Sequence, residues 1–278
     1  MIAAIDIGAT TTNVVLRVND TLFTRGLASA TASTIAEQIL TSLAIDAGIA
    51  PATIDRIAAT GVGSRRLPAT LIGRPISRID EFDAIGAGGT RLAGVSRALV
   101  ISIGTGTAIV TADGDRYEHF GGTGVGGGTI VGLGRRLCEV PGFDEIDALA
   151  RDGDLSRVDL RIGDLVGGSL DNLGPDATAS NFGKPQAVSA PADLALALFN
   201  MVAESVGVLG LAAARATNHD TIVIVGRLLG NETFRARMAR FNGAHGRAFL
   251  LPHNAESAVA IGALELANRR LTSPTADS

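Results

Sequence analysis

Short apolar runs and longer patterns of helical spacing alternate along the chain, and this alternation predicts strands separated by helices. The first three predicted strands are joined by polar turns and cover residues 2–5, 13–18 and 21–24. The same order returns later, with strands predicted over residues 98–101, 108–111 and 116–120. The dipeptides Ile7-Gly8 and Ile103-Gly104 lead the first polar turn of each copy. A repeat of this size is typical of a duplicated two-lobed fold with a ligand cleft between the halves, although short hairpins also resemble one another by chance.

The remaining segments extend this pattern into an α/β fold. Helices are predicted over residues 33–47, 129–140, 144–151, 193–217 and 255–271, with another beginning at residue 232. Further strands are predicted over residues 57–59, 75–79, 221–225 and 248–252, and residues 167–185 are predicted to be irregular. Strands that alternate with helices predict parallel pairing in part of each sheet. The repeat divides the chain into a first lobe over residues 1–96, a second lobe over residues 97–270 and a frayed tail over residues 271–278.

Composition and charge exclude several classes of protein. Of the 278 residues, 46% are hydrophobic and 19% are charged, which is typical of a globular protein. The net charge of -4 argues against a nucleic-acid partner. The most apolar segment, over residues 194–214, is interrupted by Asn200, Glu204 and Ser205, so we expect a buried helix and not a membrane span. The first residues lack the basic segment of a signal peptide, so a cytoplasmic location is expected.

Cysteine and histidine offer little metal chemistry in this sequence. Cys138 is the only cysteine, which excludes an intrachain disulfide and a cysteine zinc site. Its apolar neighbours predict a buried thiol. His219, His245 and His253 lie singly in or beside predicted loops, and we expect them to be solvated surface imidazoles.

A glycine run between Gly121 and Gly134 holds eight glycines and leads directly into the helix predicted over residues 129–140. Glycine lets the backbone approach a ligand closely, and a helix start offers unpaired N–H groups at the positive end of its dipole. The combination predicts an anion cradle suited to phosphates. A tight turn or a mobile linker is the alternative, but a linker is expected to be richer in serine.

The two polar turns are candidates for binding a terminal phosphate, because their backbone N–H groups and hydroxyls suit phosphate oxygens. The residues concerned are Gly8, Thr10, Thr11 and Thr12 in the first turn, and Gly104, Thr105, Gly106 and Thr107 in the second. Asp6 leads into the first turn, where its carboxylate is placed to hold a hydrated Mg²⁺ that bridges phosphates. The alternative is an aspartate that caps its own turn at the end of a strand.

Glu81 is the best candidate for a general base. It lies where the strand predicted over residues 75–79 meets a predicted helix. A carboxylate there is able to take the proton of a substrate hydroxyl as the hydroxyl attacks phosphorus. Asp80 and Asp83 are rivals, and any of the three is also able to cap the helix, so the spacing alone does not separate them.

These motifs together resemble those of the type II pantothenate kinases, a family of the actin-like ATPase and sugar-kinase superfamily. The resemblance covers nearly the whole chain, over residues 2–266. It rests on the two polar turns, on Glu81-Phe82-Asp83-Ala84, on the glycine run and on residues 178–183, 222–226 and 254–264. It implies an α/β fold of two duplicated ribonuclease-H-like lobes, each a mixed sheet flanked by helices.

The resemblance also implies an activity, the ATP-dependent phosphorylation of pantothenate in coenzyme A biosynthesis. It gives Asp6 the role of assisting Mg²⁺ and Glu81 that of the base. It assigns ATP binding to the glycine-run residues Gly122, Thr123, Gly124, Gly126, Gly127 and Gly128, together with Gly226. It assigns substrate contacts to Glu81, Thr105, His119 and Thr178. It further implies a homodimer, for which the apolar helix over residues 193–217 is the natural interface.

Three positions depart from the pattern that the family implies. Asn13 stands where the family carries a phosphate-facing lysine, His119 where it carries a substrate-binding arginine, and Ala108 where it carries a substrate-binding serine. Replacing arginine by histidine removes a permanently charged partner that binds a carboxylate through two hydrogen bonds. The loss of one charge-assisted hydrogen bond costs about 1.5–3 kcal/mol.

These departures leave two alternative functions open beside the pantothenate kinase. One is a kinase of the same fold that acts on a different hydroxylated substrate. The other is a non-catalytic sensor that binds nucleotide or acyl-coenzyme A, against which the presence of both Asp6 and Glu81 argues. The activators of acyl-coenzyme A dehydratases, from the same superfamily, need several cysteines for an iron–sulfur cluster, and one cysteine is too few.

Overall fold

A computed structural model describes residues 1–19, 21–28, 33–171, 173–185, 189–243 and 246–272. Its first sheet has six strands: β1 (Ile2–Ile7), β2 (Thr11–Val18), β3 (Thr21–Ala28), β4 (Arg56–Thr60), β5 (Thr70–Leu71) and β6 (Arg74–Arg78). Its second sheet has five strands: β7 (Arg97–Ile103), β8 (Thr107–Asp113), β9 (Arg116–Thr123), β12 (Thr221–Val225) and β13 (Ala248–Leu250). The short strands β10 (Leu160–Arg161) and β11 (Thr178–Ser180) pair with each other.

The two sheets repeat one topology, which confirms the predicted duplication. The strand orders are β3-β2-β1-β4-β6-β5 and β13-β12-β7-β8-β9. In each copy the first three strands form an antiparallel meander, and the first strand then pairs in parallel with a later one. The predicted α/β class of duplicated lobes is therefore confirmed. The lobe limits at residues 96 and 270 stay a prediction, and Asp20 of the first hairpin turn lies outside the described residues.

Eight helices surround these sheets in the described part of the chain. They are α1 (Ser33–Asp46), α2 (Glu81–Ala93), α3 (Gly127–Leu137), α4 (Phe143–Ala150), α5 (Ile162–Val166), α6 (Pro191–Ala216), α7 (Glu232–Ala239) and α8 (Ala258–Thr272). The final helix begins later than predicted, because Asn254 adopts a left-handed φ of 56° and Ala255–Ser257 forms a 3-10 turn. The segment predicted to be irregular contains β11, and α5 was not predicted. Of the predicted tail, residues 273–278 lie outside the described residues.

Helices α2 and α6 cover opposite faces of the second sheet. A Cβ atom added at Gly89 of α2 would lie 2.4 Å from Val100 of β7, and one added at Gly210 of α6 would lie 2.6 Å from Ile101 of the same strand. Successive residues of a strand point to opposite faces. Both faces of β7 are consequently buried, and the helix that begins with Glu81 is separated from α6 by the sheet.

Helices α2 and α8 cross in backbone contact. A Cβ atom added at Gly88 would lie 1.8 Å from the carbonyl oxygen of Ala258, and one added at Gly262 would lie 1.9 Å from that of Ala84. No side chain larger than that of glycine fits at either position without moving a helix. Since α8 also packs on β1 and β4, this crossing joins the two halves of the chain.

The apolar character of α6 has an internal explanation. The helix packs against α3, α4 and α7. It is long and apolar enough to cross a membrane by length and composition alone, but 67% of its apolar window is buried inside the protein. That burial is typical of a core helix. Its several apolar faces therefore do not by themselves indicate a dimer interface, although Val208 on α6 is 60% exposed.

The single-residue expectations for cysteine and histidine have mixed outcomes. Cys138 is buried as predicted, and burial raises the pKa of its thiol. The prediction of a surface imidazole is wrong for His219, which is 2% exposed and contacts the hydroxyl of Thr217. His253 is exposed as predicted, and His245 lies outside the described residues.

Candidate active site

The carboxyl ends of the parallel strands β1, β4 and β6 meet at one edge of the first sheet. Asp6 lies near the end of β1 and is the register partner of Thr60, the last residue of β4. Gly61 follows with a φ of 84°, and a Cβ atom added there would lie 2.5 Å from the Asp6 carboxylate. Only glycine allows this close approach. The loop after β4 therefore packs directly against Asp6, at the sheet edge where open α/β sheets bind ligands.

Glu81 is the first residue of α2, and its carboxylate accepts a hydrogen bond from the backbone N–H of Val62 in this loop. Asp80 caps α2 by accepting from the N–H groups of Phe82 and Asp83. Asp83 is within electrostatic reach of Arg270 near the end of the described chain. The structure thus separates the three acids, because of these only Glu81 is held by the loop that packs on Asp6.

Asp6 and Glu81 form a pair of interacting carboxylates. Burial raises the pKa of Asp6 to about 7, and the negative charge of Glu81 contributes, while a hydrogen bond from the Asn13 side chain opposes the rise. Burial also raises the pKa of Glu81, with a further contribution from Asp80. Two adjacent carboxylates with raised pKa values are a candidate site of proton transfer or cation binding.

The two polar turns face each other, as the sequence predicts. The hydroxyl oxygens of Thr10 and Thr105 lie 3.2 Å apart. Each turn is closed by its own hydrogen bond, from the N–H of Gly8 to the Thr11 carbonyl and from the N–H of Gly104 to the Gly106 carbonyl, both 2.8 Å long. The turns consequently bring hydroxyls from both halves of the chain to one point.

Within the described residues, the N–H groups of Thr10, Thr105 and Gly106 donate to no other protein atom. They remain available to a ligand. Thr12 differs from this group, because it lies inside β2 with a fully buried side chain. The prediction that its hydroxyl faces a phosphate is therefore wrong.

The glycine run packs on the second turn, and backbone N–H groups of the run donate hydrogen bonds to that turn. The N–H of Gly127 donates to the Gly104 carbonyl at 2.8 Å, and the N–H of Gly128 donates to the Thr105 carbonyl at 2.9 Å. The N–H of Gly126 donates to the hydroxyl of Thr129 at 3.1 Å. The expectation that the helix start offers unpaired N–H groups is wrong for these three positions, because α3 begins inside the run and its first amides hold the turn.

Most glycines of the run are needed for close packing. A Cβ atom added at Gly126 would lie 2.8 Å from the Thr105 carbonyl oxygen, and one added at Gly122 would lie 2.3 Å from that of Thr107. A Cβ atom at Gly124 would meet nothing within 4 Å. Gly124, next to Thr123, thus borders open space, as Gly121 also does, and the binding of ATP by the run stays a prediction.

Gly226 directly follows β12 and packs beside the second turn. Its φ is 98°, and a Cβ atom there would lie 2.6 Å from backbone atoms of Ile103, directly before the second turn. Its N–H donates to the Ala255 carbonyl at 2.8 Å. The carboxyl ends of β7 and β12 therefore form a second sheet edge of the kind at which open α/β sheets bind ligands.

His119 lies beside the start of α2. Its ring stacks on that of Phe82, with ring centroids 3.9 Å apart and an angle of 13° between the planes. The pairing of β8 with β9 is irregular at this point, where Val110 pairs with His119 and Ile109 with Gly121. A bulge of this kind redirects side chains. His119 is thereby next in space to the residue that follows Glu81.

Thr178 is not brought to the two turns. Its hydroxyl donates to Glu204 of α6 at 2.7 Å, and Asn200 of the same helix lies 3.5 Å away. A role of Thr178 toward the substrate is therefore supported by the resemblance alone and stays a prediction.

Two features of the site were not predicted from the sequence. One is the N–H of Val62, which fixes Glu81. The other is the hydroxyl of Thr60, which is buried beside Asp6 and has no hydrogen-bond partner within the described residues. The only signal for both was the segment Thr60-Gly61-Val62-Gly63 directly after a predicted strand.

Comparison with known proteins agrees with this geometry. The family profile described as Fumble matches residues 95–257, more than half of the chain. The type II pantothenate kinase of Bacillus cereus (strain G9842) is 33% identical over 187 residues, which cover 64% of this chain and 68% of that relative. The type II pantothenate kinase of Bacillus anthracis is 34% identical over 167 residues, covering 59% of this chain and 56% of that relative.

Among solved structures, the activator of the 2-hydroxyisocaproyl-CoA dehydratase from Clostridium difficile, with bound ADPNP, superposes with a TM-score of 0.66. It is 16% identical and covers 99% of each chain, so this likeness shows the fold alone. Fold and site together define an actin-like, two-lobed protein of the kinase class. The chain belongs to the Fumble family, the family of the type II pantothenate kinases.

Proposed function

We propose that this chain is an ATP-dependent kinase that transfers a phosphoryl group to the primary hydroxyl of pantothenate. The observation that carries the proposal is the position of Glu81, which the Val62 N–H holds in the loop that packs on Asp6. Phosphoryl transfer requires positioning of the reactants and stabilisation of charge on the phosphate oxygens. Family membership supports the choice of ATP as donor and pantothenate as acceptor.

The two turns bind the phosphate that is transferred. Thr10 and Thr105 offer hydroxyls and free N–H groups from opposite halves of the chain. Donors fixed before the reaction stabilise developing charge without reorganisation. The rest of the nucleotide then lies near Gly124, where the glycine run borders open space. It also lies near Gly226, beside the second turn.

Asp6 is the residue that would hold Mg²⁺. Its carboxylate carries a penalty from burial and from the charge of Glu81, which a divalent cation would relieve, so the residues fit the ion. The described residues contain no group of three or more acidic, histidine or cysteine side chains that could hold a metal. A single carboxylate suits Mg²⁺, which keeps several waters and phosphate oxygens as ligands. When bound, the ion neutralises charge on the phosphates.

Glu81 takes the proton of the acceptor hydroxyl. Burial raises its pKa above the ordinary value, which brings the carboxylate closer to the basicity that proton abstraction needs. The Val62 N–H donates to this carboxylate, and the charge of Glu81 acts on the neighbouring Asp6. The proton moves from the hydroxyl to a Glu81 carboxylate oxygen as the hydroxyl oxygen bonds to the γ-phosphorus of ATP. The bond between that phosphorus and the β,γ-bridging oxygen breaks in the same step, and ADP leaves.

His119 is the observation that favours a second candidate, a kinase of the same kind that acts on another hydroxylated substrate. The imidazole stacks on Phe82, the neighbour of Glu81, so it borders the space that the acceptor must enter. An imidazole holds a carboxylate less firmly than a guanidinium does. An acceptor without a carboxylate would not lose affinity from this difference.

Measurement of ADP release separates the two candidates. The enzyme is given ATP, Mg²⁺ and either pantothenate, a neutral amide of pantothenate or one of a panel of other small alcohols. We expect turnover with pantothenate. No turnover with pantothenate, together with turnover of another alcohol, would instead establish the second candidate. In either case His119→Arg should raise the preference for pantothenate over its neutral amide about tenfold.

The assembly that we propose is a homodimer in the cytoplasm with no nucleic-acid or membrane partner. Family resemblance supports the dimer. The exposed side chain of Val208 on α6 is the position at which we expect the second chain to make contact. Sedimentation of the purified chain, with Val208→Asp as the variant, tests it.

A further inference from the structure

A cavity away from the two turns is lined by three arginines that the proposed function does not use. It has a volume of about 300 Å³ and lies among the 3-10 turn Leu155–Arg157, the paired strands β10 and β11, and α7. Its polar lining consists of Arg161, Arg237, Arg240, Asp159, Asp176 and Thr178. We refer to it as the arginine cavity.

The arginine cavity lies on the α6 side of the second sheet. Thr178 in its wall donates a hydrogen bond to Glu204 of α6, the helix that packs on the Ile101 face of β7. Glu81 instead begins α2, which packs on the opposite face. A ligand in this cavity is therefore distinct from one held between the two turns.

Asp159 in the cavity wall and Glu204 on α6, which contacts Thr178, already have hydrogen-bond donors. Asp159 accepts from the backbone N–H of Phe182 and from the side chain of Asn200, both at 2.9 Å. Glu204 accepts from the hydroxyl of Thr178 at 2.7 Å and from the side chain of Asn181 at 2.9 Å. The hydrogen bonds to these two carboxylates come from neutral donors, and within the described residues Glu204 acts on Arg237 through its charge.

The guanidinium groups of the cavity have few hydrogen-bond acceptors among the described residues. The Nε of Arg237 is buried and has no hydrogen-bond partner within the described residues. Burial lowers the pKa of Arg237, the nearby charges of Arg240 and Arg161 lower it further, and the charge of Glu204 opposes these effects. Arg161 is paired, at 3.1 Å, with Asp176, whose side chain is 79% exposed. A buried donor without an acceptor is costly, and such groups in native proteins call for an explanation such as a bound ion.

We propose that the arginine cavity is a binding site for a phosphate group, with Arg237 and Arg240 as its main ligands. The planar guanidinium presents paired donors that match two oxygens of a phosphate. A phosphate dianion has enough acceptor oxygens for more than one guanidinium, and its charge offsets the crowding of three cations. Inorganic phosphate and a phosphate monoester share this chemistry, and the cavity has room for either.

The test follows the Nε–Hε signals of the arginines by NMR during titration with inorganic phosphate, glycerol 3-phosphate or malonate. The titrations use the full chain and the variants Arg237→Gln, Arg237→Lys and Arg240→Gln. Arg215→Gln on α6 is the matched control, because it removes one charge from an exposed position outside the cavity. Observing the Arg237 signal separates this site from any phosphate bound at the two turns.

We expect a saturable shift of the Arg237 signal with inorganic phosphate, with glycerol 3-phosphate or with both, and the stronger of the two identifies the source. Arg240→Gln should weaken this binding by at least about tenfold, and Arg215→Gln should leave it unchanged. Arg237→Gln and Arg237→Lys should weaken the phosphate-dependent shift of Arg240 in the same way. The absence of a saturable shift in the unaltered chain, or a shift with malonate alone, overturns the proposal. Because Arg240 is exposed, its variant keeps the test valid even where Arg237→Gln fails to fold.

Discussion

Asp6 carries the strongest electrostatic penalty that we resolve in the candidate site. Its carboxylate is packed under the Gly61 loop and lies within the field of Glu81, while a hydrogen bond from Asn13 compensates only in part. Asn13 stands where the resemblance implies a lysine, and a lysine there would add a positive charge next to this carboxylate. If Asp6 holds Mg²⁺ as we propose, the site of this chain depends more on that ion to neutralise Asp6 than a site with lysine would.

This penalty predicts a pH-dependent stability of the ligand-free protein. The pKa of Asp6 is about 7 in the folded state against an ordinary value of 3.8, so the folded state binds more protons between these values. The stability that Asp6 contributes is complete below pH 3.8 and is lost as the pH rises to about 7. In EDTA, Asp6→Asn should therefore be more stable than the unaltered chain at pH 8, by about 1–3 kcal/mol, with no gain at pH 4.

Urea unfolding at the two pH values measures this difference. Mg²⁺ with nucleotide should stabilise the unaltered chain and fail to stabilise Asp6→Asn. Equal stabilities of the two proteins at pH 8 would show that Asp6 is not destabilised in the folded state.

The sequence predicted the residues that meet at the site better than it predicted the hydrogen bonds that they form. Thr10, Thr105, Asp6 and Glu81 were identified because each lies at or directly after the end of a predicted strand, where α/β sheets bind ligands. The use of the Gly127 amide was not predictable, since sequence spacing does not tell whether an N–H donates to a ligand or to a neighbouring turn. The same limit applies to Arg237, whose isolation depends on residues far away in the sequence.

At the level of elements, glycines decide how closely two helices approach. Gly88 and Gly262 let α2 and α8 cross with backbone atoms in contact. The sequence contains both glycines, but their purpose was not evident, because glycine in a helix is normally unfavourable by about 1 kcal/mol. In contrast, the succession of three strands that opens each half was predicted from the repeated pattern of short apolar runs.

Gly262→Ala should destabilise the protein by about 1–3 kcal/mol, because the methyl group overlaps the Ala84 carbonyl oxygen and forces the helices apart. Gly132→Ala is the matched control. Gly132 also lies within a helix, but an added Cβ atom would lie 3.9 Å from its nearest neighbour, the Arg136 side chain. Its replacement should leave stability unchanged or raise it by up to about 1 kcal/mol. Thermal unfolding of both variants tests the contrast, and similar losses in the two would argue against a specific close crossing.

For the molecule as a whole, duplication explains both the fold and the place of the site. Each half contributes one polar turn and one edge of parallel strand ends, and the hydroxyls of Thr10 and Thr105 meet where the halves face each other. The two-lobed class was predictable because the repeat is visible in the order of strands. The internal role of α6 was not, because apolar residues around a helix indicate burial without indicating which surface covers them.

The central claim is that Glu81 removes the proton of an acceptor hydroxyl at the meeting point of the two halves. The most direct test compares phosphorylated pantothenate formed per enzyme by the unaltered chain, by Glu81→Gln and by Asp83→Asn. Loss of the base should lower kcat by about 10²–10⁴-fold with ATP binding retained, while Asp83→Asn should keep kcat close to that of the unaltered chain. A Glu81→Gln enzyme that forms product at the unaltered rate would contradict the account.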